Sequence, residues 1–197
     1  VETRLRTLFV NATTHDEWFC LASALGSVGQ TRDTVVVLLG GLESQNPEKI
    51  GAAISALGQI GKEPVLIVPR LIECLDRFEE FDPDLTYHGE HERVVEALRG
   101  FGKAAAQAVP TLIRHVWTGP QQYWDSSSKL AERPEPDEDV IRYLGELGSL
   151  ATEAPPALLE VRKALESRIS GRESEDAESI PLYLDKAIEK LSAAKKH

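Results

Sequence analysis

The sequence predicts an all-α fold of stacked helical hairpins, an α-solenoid, on two observations. A plan of two apolar helical stripes recurs along the chain, and a glycine followed eight residues later by a proline punctuates three of the recurrences (Gly61 and Pro69, Gly102 and Pro110, Gly148 and Pro156). In the clearest pair, ALGQIG (56–61) and VPRLIECL (68–75) return as ALRGFG (97–102) and VPTLIRHV (109–116). Self-similarity at a period of this length is the signature of repeat architectures. Every apolar stripe has the 3.6-residue period and none alternates strictly over a strand length, so no sheet is expected.

Counted from the closing glycine, the copies end at Gly29, Gly61, Gly102 and Gly148, with a degenerate fifth, AIEKLS, at Ser192; the intervals are 32, 41, 46 and 44. The first-helix stripes are Leu21, Ala24, Leu25, Val28; Ala53, Ala56, Leu57, Ile60; Val94, Ala97, Leu98, Phe101; Val140, Tyr143, Leu144, Leu147; and Leu184, Ala187, Ile188, Leu191. That is i, i+3, i+4, i+7 spacing, one apolar face per helix. The second-helix stripes are Val36, Leu39, Gly40; Val68, Leu71, Ile72; Val109, Leu112, Ile113; and Pro155, Leu158, Leu159. A glycine between the stripes suits a helix C-terminus, where the left-handed conformation costs least without a Cβ. The prolines fall early in second helices, where a missing N–H loses little. One such hairpin buries too little apolar surface to stand alone, so stacked neighbours must supply the core.

In chain order, residues 1–12 set Leu5, Leu8, Phe9 and Ala12 at helical spacing and read as the second helix of a hairpin whose first helix is missing. Methionine is absent, at position 1 included, so an excised piece of a longer protein is expected, with an apolar end at Leu5, Leu8 and Phe9 open to end-to-end self-association. Thr14 and Glu17 form a capping box for the first helix of the first repeat (13–45). Asn46 and Pro47 open the second repeat (46–80) as cap and first helical residue. Further repeats fall near 90–118 and 137–168, with a partial one at 180–193, so 1–197 reads as a single solenoid fragment. The insertions 79–90, 118–137 and 168–180 all lie between one hairpin and the next, so the extra chain collects along one edge.

The ALGxIG run followed by proline and Leu-Ile resembles HEAT repeats, particularly the short phycobilisome-lyase-like kind, over roughly residues 13 to 192. The resemblance implies a right-handed superhelix whose second helices line a concave face. It reaches the repeat and nothing more, since no pigment-binding group stands out. The Trp-Leu-Gly-Tyr and Thr-Pro-Leu-His signatures of tetratricopeptide and ankyrin repeats are absent. His91 followed by Glu92, in EHERVVEALRGFG, is similar in register to the His-Glu pairs of deoxyhypusine hydroxylase, a HEAT-like enzyme. The equivalent positions elsewhere hold Trp18-Phe19, Ile50-Gly51 and Asp137-Glu138, and one pair cannot build a di-iron site.

Composition narrows the function. The chain is 42% hydrophobic and 6% aromatic with a net charge of −10, which fits an aliphatic core and opposes affinity for phosphate backbones or anionic lipid. No apolar run approaches a bilayer span and no signal pattern opens the chain, so a cytoplasmic protein is expected, binding neither nucleic acid nor membrane. Cys20 and Cys74 lie outside any Cys-x-x-Cys pattern and read as reduced thiols. Ser126 and Lys129 have S-x-x-K spacing in a low-complexity loop without companion motifs. His88, Glu90 and His91 read as polar residues before a helix, and the GSVG, GQIG and GFG runs close helices without a following Lys-Ser/Thr. No catalytic residue, metal or cofactor is expected.

Two surfaces read as binding candidates. On the non-core face of second helices stand Arg70, Glu73 and Arg77, then Thr111, Arg114 and Thr118 with His115 alongside: a polar ladder able to grip an acidic or polar peptide. In the second insertion Trp117, Tyr123 and Trp124 place three large aromatics within eight residues, a composition enriched in interface anchors. The chain is expected to be a non-catalytic protein-interaction or scaffold module of a larger protein. The competing readings are a structural or regulatory arm of a larger enzyme and a metal-dependent HEAT-like enzyme.

Overall fold

The computed structural model describes residues 1–29, 31–81, 88–124, 130–170 and 180–194. Its fold is all-α in class, with one short hairpin of strands. The chain divides into two compact units, Val1–Ala108 and Val109–His197, and the division falls inside the third repeat of the sequence reading.

The first unit holds six helices among its described residues: α1 (Glu2–Asn11), α2 (His15–Val28), α3 (Arg32–Gly41), α4 (Pro47–Ile60), α5 (Pro64–Phe81) and α6 (His88–Gly100), followed by a 3-10 turn over Gly102–Ala108. Local chemistry sets their starts. Thr14 Oγ1 accepts the Glu17 N–H, while the Glu17 carboxylate accepts the N–H groups of Thr13 and Thr14 at 3.0 and 3.2 Å. Those bonds hold the Glu17 carboxyl below the ordinary carboxylate range. Asn46 Oδ1 accepts from Glu48 at 2.9 Å, with Pro47 at the first helical position. Gly61, Gly102 and Gly148 take φ of 58°, 52° and 55° at their helix ends, where a side chain would be strained. Gly29 closes α2 at φ −78° instead, so the left-handed cap expected there is absent.

Alternate helices stack on one another, α2 on α4 and α4 on α6, while α3 lies against α4 and α5 against α6, the first helix of the next hairpin in each case. In α4 and α6 the expected stripes are all buried: Ala53, Ala56, Leu57, Ile60 and Val94, Ala97, Leu98, Phe101. The approach is close because a Cβ on Gly58 would sit 2.9 Å from Cα and Cβ of Ala97.

The first repeat departs from its expected register. Val28 and Val36 are 48% and 56% exposed, whereas α2 buries Trp18, Ala22 and Leu25 and α3 buries Thr34, Val35 and Leu38. Capped by Thr31, α3 begins soon after the glycine, so its inward stripe falls one residue early, on Val35 and Leu38 rather than Val36 and Leu39. Phe9 is core rather than an open end: it is 1% exposed, packs where Gly41 leaves room, and lies with Trp18 near the Lys49 ammonium, 5.5 and 6.0 Å from the two rings. The Glu2 carboxylate bonds the hydroxyls of Thr31 and Thr34 at the start of α3, and these bonds keep its carboxyl below the ordinary range.

Pro69 stands deeper in its helix than expected, since α5 begins at Pro64; the carbonyl left without a donor belongs to Val65, which is 82% exposed. Just before α5, Glu63 takes φ 54°, a conformation that L side chains rarely adopt. Relief of that strain exceeds the entropy cost of glycine, so Glu63→Gly is expected to stabilise the first unit by about 0.5 kcal/mol. A urea midpoint at or below the parent's would show that the Glu63 side chain contributes more than its backbone costs.

The second unit contains α7 (Val109–Arg114), strands β1 (Trp117–Trp124) and β2 (Leu130–Pro136), then α8 (Glu138–Leu147), α9 (Ala154–Ser170) and α10 (Leu182–Ala194). The stacking pattern returns: α8 packs on α10, and a Cβ on Gly145 would lie 3.0 Å from Cα and Cβ of Ala187. Val140, Tyr143, Leu144, Leu147, Leu184, Ala187 and Leu191 are buried, while Leu159 is 50% exposed. The expectation of no sheet fails in the second insertion, where β1 and β2 pair antiparallel from Trp117 opposite Pro136 to Trp124 opposite Leu130. Pro120 faces Pro134 and the register is irregular between Trp117 and Pro120, so the ladder lacks the regular alternation that marks a strand in sequence.

Candidate interaction surfaces

Arg70, Glu73 and Arg77 share the polar side of α5, because they follow the buried Leu71, Cys74 and Leu75 around the helix. Both arginines already have partners within the unit. Arg70 pairs with Glu43, just past the end of α3, and with Glu73 one turn along α5 at 2.8 Å. Both carboxylates are more than half exposed. Arg77 donates through Nη2 to the Leu42 carbonyl, closing the C-terminus of α3, and reaches the Cys74 thiol at 3.6 Å. Its Nε is buried without a hydrogen-bond partner among the described residues. Burial pushes the Cys74 thiol above its ordinary range, against the opposing pull of Arg77 and Arg70. Cys20 and Cys74 are both free thiols, the first exposed and the second buried.

In the second unit the expected polar ladder turns largely inward. Thr111 and His115 are 6% and 2% exposed, leaving Arg114 as the exposed member, with Nη2 donating to Thr111 Oγ1 at 3.0 Å. Helix α7 is only six residues long and both its flanks meet other helices, α8 and α9, which explains the burial. Thr118 and Tyr123 with Trp124 lie on β1, where Tyr123 is opposite Ala131; their side chains fall outside what the structure describes. Trp117 is half-buried at the base of the hairpin. There the Asp137 N–H donates to the Val116 carbonyl at 2.9 Å, and Asp137 Oδ1 caps α8 by accepting from Val140 at 2.8 Å.

Beside that cap, Arg142 pairs with Glu138 at 2.6 Å and holds its guanidinium 5.7 Å from the Tyr183 ring centre. Burial, reinforced by Glu138, Asp137 and Glu135, pushes the Tyr183 hydroxyl up to about 12. The sign of the linkage follows: a raised folded-state value means stability intact below about pH 10, the ordinary tyrosine range, and lost as pH rises toward 12. Tyr183→Phe is expected to flatten the fall in thermal stability over that window. An unchanged alkaline limb would remove Tyr183 as its source.

Of the remaining candidates, His91 is half-buried on α6. His88 and Glu90 open the same helix with side chains outside the described set, and Ser126 and Lys129 lie outside the described residues. Among the described residues no three His, Cys, Asp or Glu side chains cluster as metal ligands. No helix among them is long and apolar enough to cross a membrane. Glu43, Leu42 and Lys49 escaped the sequence reading because each acts on a residue more than twenty positions away. The close Gly58 and Gly145 contacts had a signal, the shared Leu-Gly three residues before the closing glycine.

No family model matches the chain, and no curated protein matches it. Among solved structures it is similar to the crystal structure of an engineered protein, at 17% identity with a TM-score of 0.52. The match covers 98% of this chain and 47% of that one, so the chain spans about half the length of its structural neighbour. At that identity the likeness speaks for the helical fold alone.

Proposed function

We propose that the chain is a right-handed HEAT-like α-solenoid acting as a non-catalytic protein-interaction or scaffold module in a cytoplasmic setting. The observation that carries the reading is the Glu43–Arg70–Glu73 cluster, which runs from the end of α3 to α5 on an accessible helical face. Two carboxylates around one guanidinium leave that cluster net negative, in keeping with the chain's charge of −10. An acidic peptide would have to displace Glu43 and Glu73 from Arg70. A basic or polar protein segment instead meets exposed carboxylates already held in place, so the partner class shifts to one bearing lysine or arginine.

The test compares proteins retained by the parent chain and by variants at matched salt. Glu43→Gln with Glu73→Gln is expected to weaken the retained partner about tenfold, consistent with loss of charge-assisted bonds of about 1.5–3 kcal/mol, without shifting the melting curve. Tyr123→Ala with Trp124→Ala is expected to weaken it similarly if the hairpin supplies aromatic anchors. Equal binding by both double variants, each shown to be folded, places the site elsewhere.

A further inference from the structure

Helix α3 is apolar on two sides. Its inward side carries the buried Val35, Leu38 and Leu42, while its outward side carries Val36, Leu39, Gly40 and Glu43, at i, i+3, i+4 and i+7. Val36 is 56% exposed, Leu39 is half-buried, and a Cβ on Gly40 would meet nothing within 4 Å. This stripe is not an end of the stack, because α1 and α5 both already pack against α3. At its far end Arg70 of α5 holds Glu43 and brings Glu73 beside it. The outward stripe therefore runs from aliphatic side chains to a pair of exposed carboxylates over about 10 Å, seven residues at the helical rise.

Resting on the interaction role proposed above, we infer that this stripe docks an amphipathic helix of another protein, one that lays apolar side chains along Val36 and Leu39 and sets a lysine or arginine, two turns away, on Glu43 and Glu73. A helix fits the spacing, since its own i and i+7 residues lie on one face about 10 Å apart. Gly40, without a side chain, lets it lie close between the two anchor points. Charge selects the sign: Glu43 and Glu73 share the single guanidinium of Arg70, so one carboxylate is left to be balanced by the partner. A second copy of this chain is a poorer occupant. Its α10 presents exposed Leu182, Lys186 and Lys190 but sets Glu189 among them, and two chains of charge −10 repel one another.

The probe is an alanine-based helical peptide with leucine at i and i+3 and arginine at i+7, titrated into the full isotope-labelled chain at low salt. Amide shifts are expected at Val36, Leu39, Gly40, Glu43 and Glu73. Replacing the leucines by alanine, or the arginine by glutamate, should weaken binding tenfold or more. In the protein, Val36→Ser removes apolar surface and Gly40→Gln fills the open ground; each, checked for an intact fold, should weaken it similarly. If Glu43→Gln with Glu73→Gln abolishes binding while Val36→Ser, Gly40→Gln and the alanine peptide have no effect, helix docking is overturned and the charge-based role stands. Equal binding by the Glu43→Gln, Glu73→Gln protein overturns both. Shifts that map elsewhere or are missing overturn the docking, as does light scattering that finds a dimer which Val36→Ser dissociates, since that gives the stripe to a second copy.

Discussion

Leu57→Asp is expected to abolish cooperative folding of the first unit. Leu57 is 0% exposed in the middle of α4, which is packed on one side by α2 and on the other by α6. Removing a buried leucine costs about 2–5 kcal/mol through lost transfer energy and the cavity left behind. The carboxylate adds to this, because a charge buried without a partner either stays ionised at a cost of several kcal/mol or takes up a proton and remains poorly solvated. Together these equal or exceed the stability of an ordinary domain, about 5–15 kcal/mol. Circular dichroism should show lost helix and a vanished thermal transition, while Leu57→Met, which conserves volume, should cost less than about 1.5 kcal/mol. A soluble Leu57→Asp protein with the parent's melting curve would remove Leu57 from the core.

Gly58→Leu and Gly145→Leu are the second pair of large effects, acting through excess volume rather than deficit. Each added side chain must push apart two helices whose backbones define the contact, Gly58 against Ala97 and Gly145 against Ala187. Overpacking of this kind costs about 1–3 kcal/mol, and more where the obstacle is main chain that cannot rotate aside. Gly40→Ala is the matched control, since a Cβ there meets nothing within 4 Å, and it should stabilise α3 by about 0.5–1 kcal/mol. Urea unfolding should place the leucine variants well below the parent and Gly40→Ala above it. Leucine variants that melt with the parent would mean the stack absorbs the volume and the close approach is incidental.

What the sequence made legible was whatever depends on near neighbours. Thr14 with Glu17, and Asn46 with Pro47, are readable because cap and capped groups lie within one turn. The stripes of α4, α6 and α8 are readable because those helices bury the whole apolar face. Val28 and Val36 mislead for the complementary reason: periodicity reports which residues are apolar and does not report which side has a neighbour. The Arg70–Glu43 and Arg77–Leu42 contacts join residues about 27 and 35 apart, a distance at which residue type alone specifies no pairing. Thr111 and His115 looked polar and outward by the same logic, and only the packing of α7 on two sides turns them in.

The glycine-to-alanine contacts bear on how such a chain can lengthen. Each joint takes its glycine from one first helix and its alanine from the next, so a duplicated segment of two consecutive hairpins arrives with both halves of the joint already matched. Gly58 with Ala97, and Gly145 with Ala187, repeat the same joint at two places. What is inherited intact in a duplication is therefore the seam. A mutation that enlarges one half is tolerable only where the facing half shrinks, so the permitted changes at the two positions are tied across a hairpin boundary.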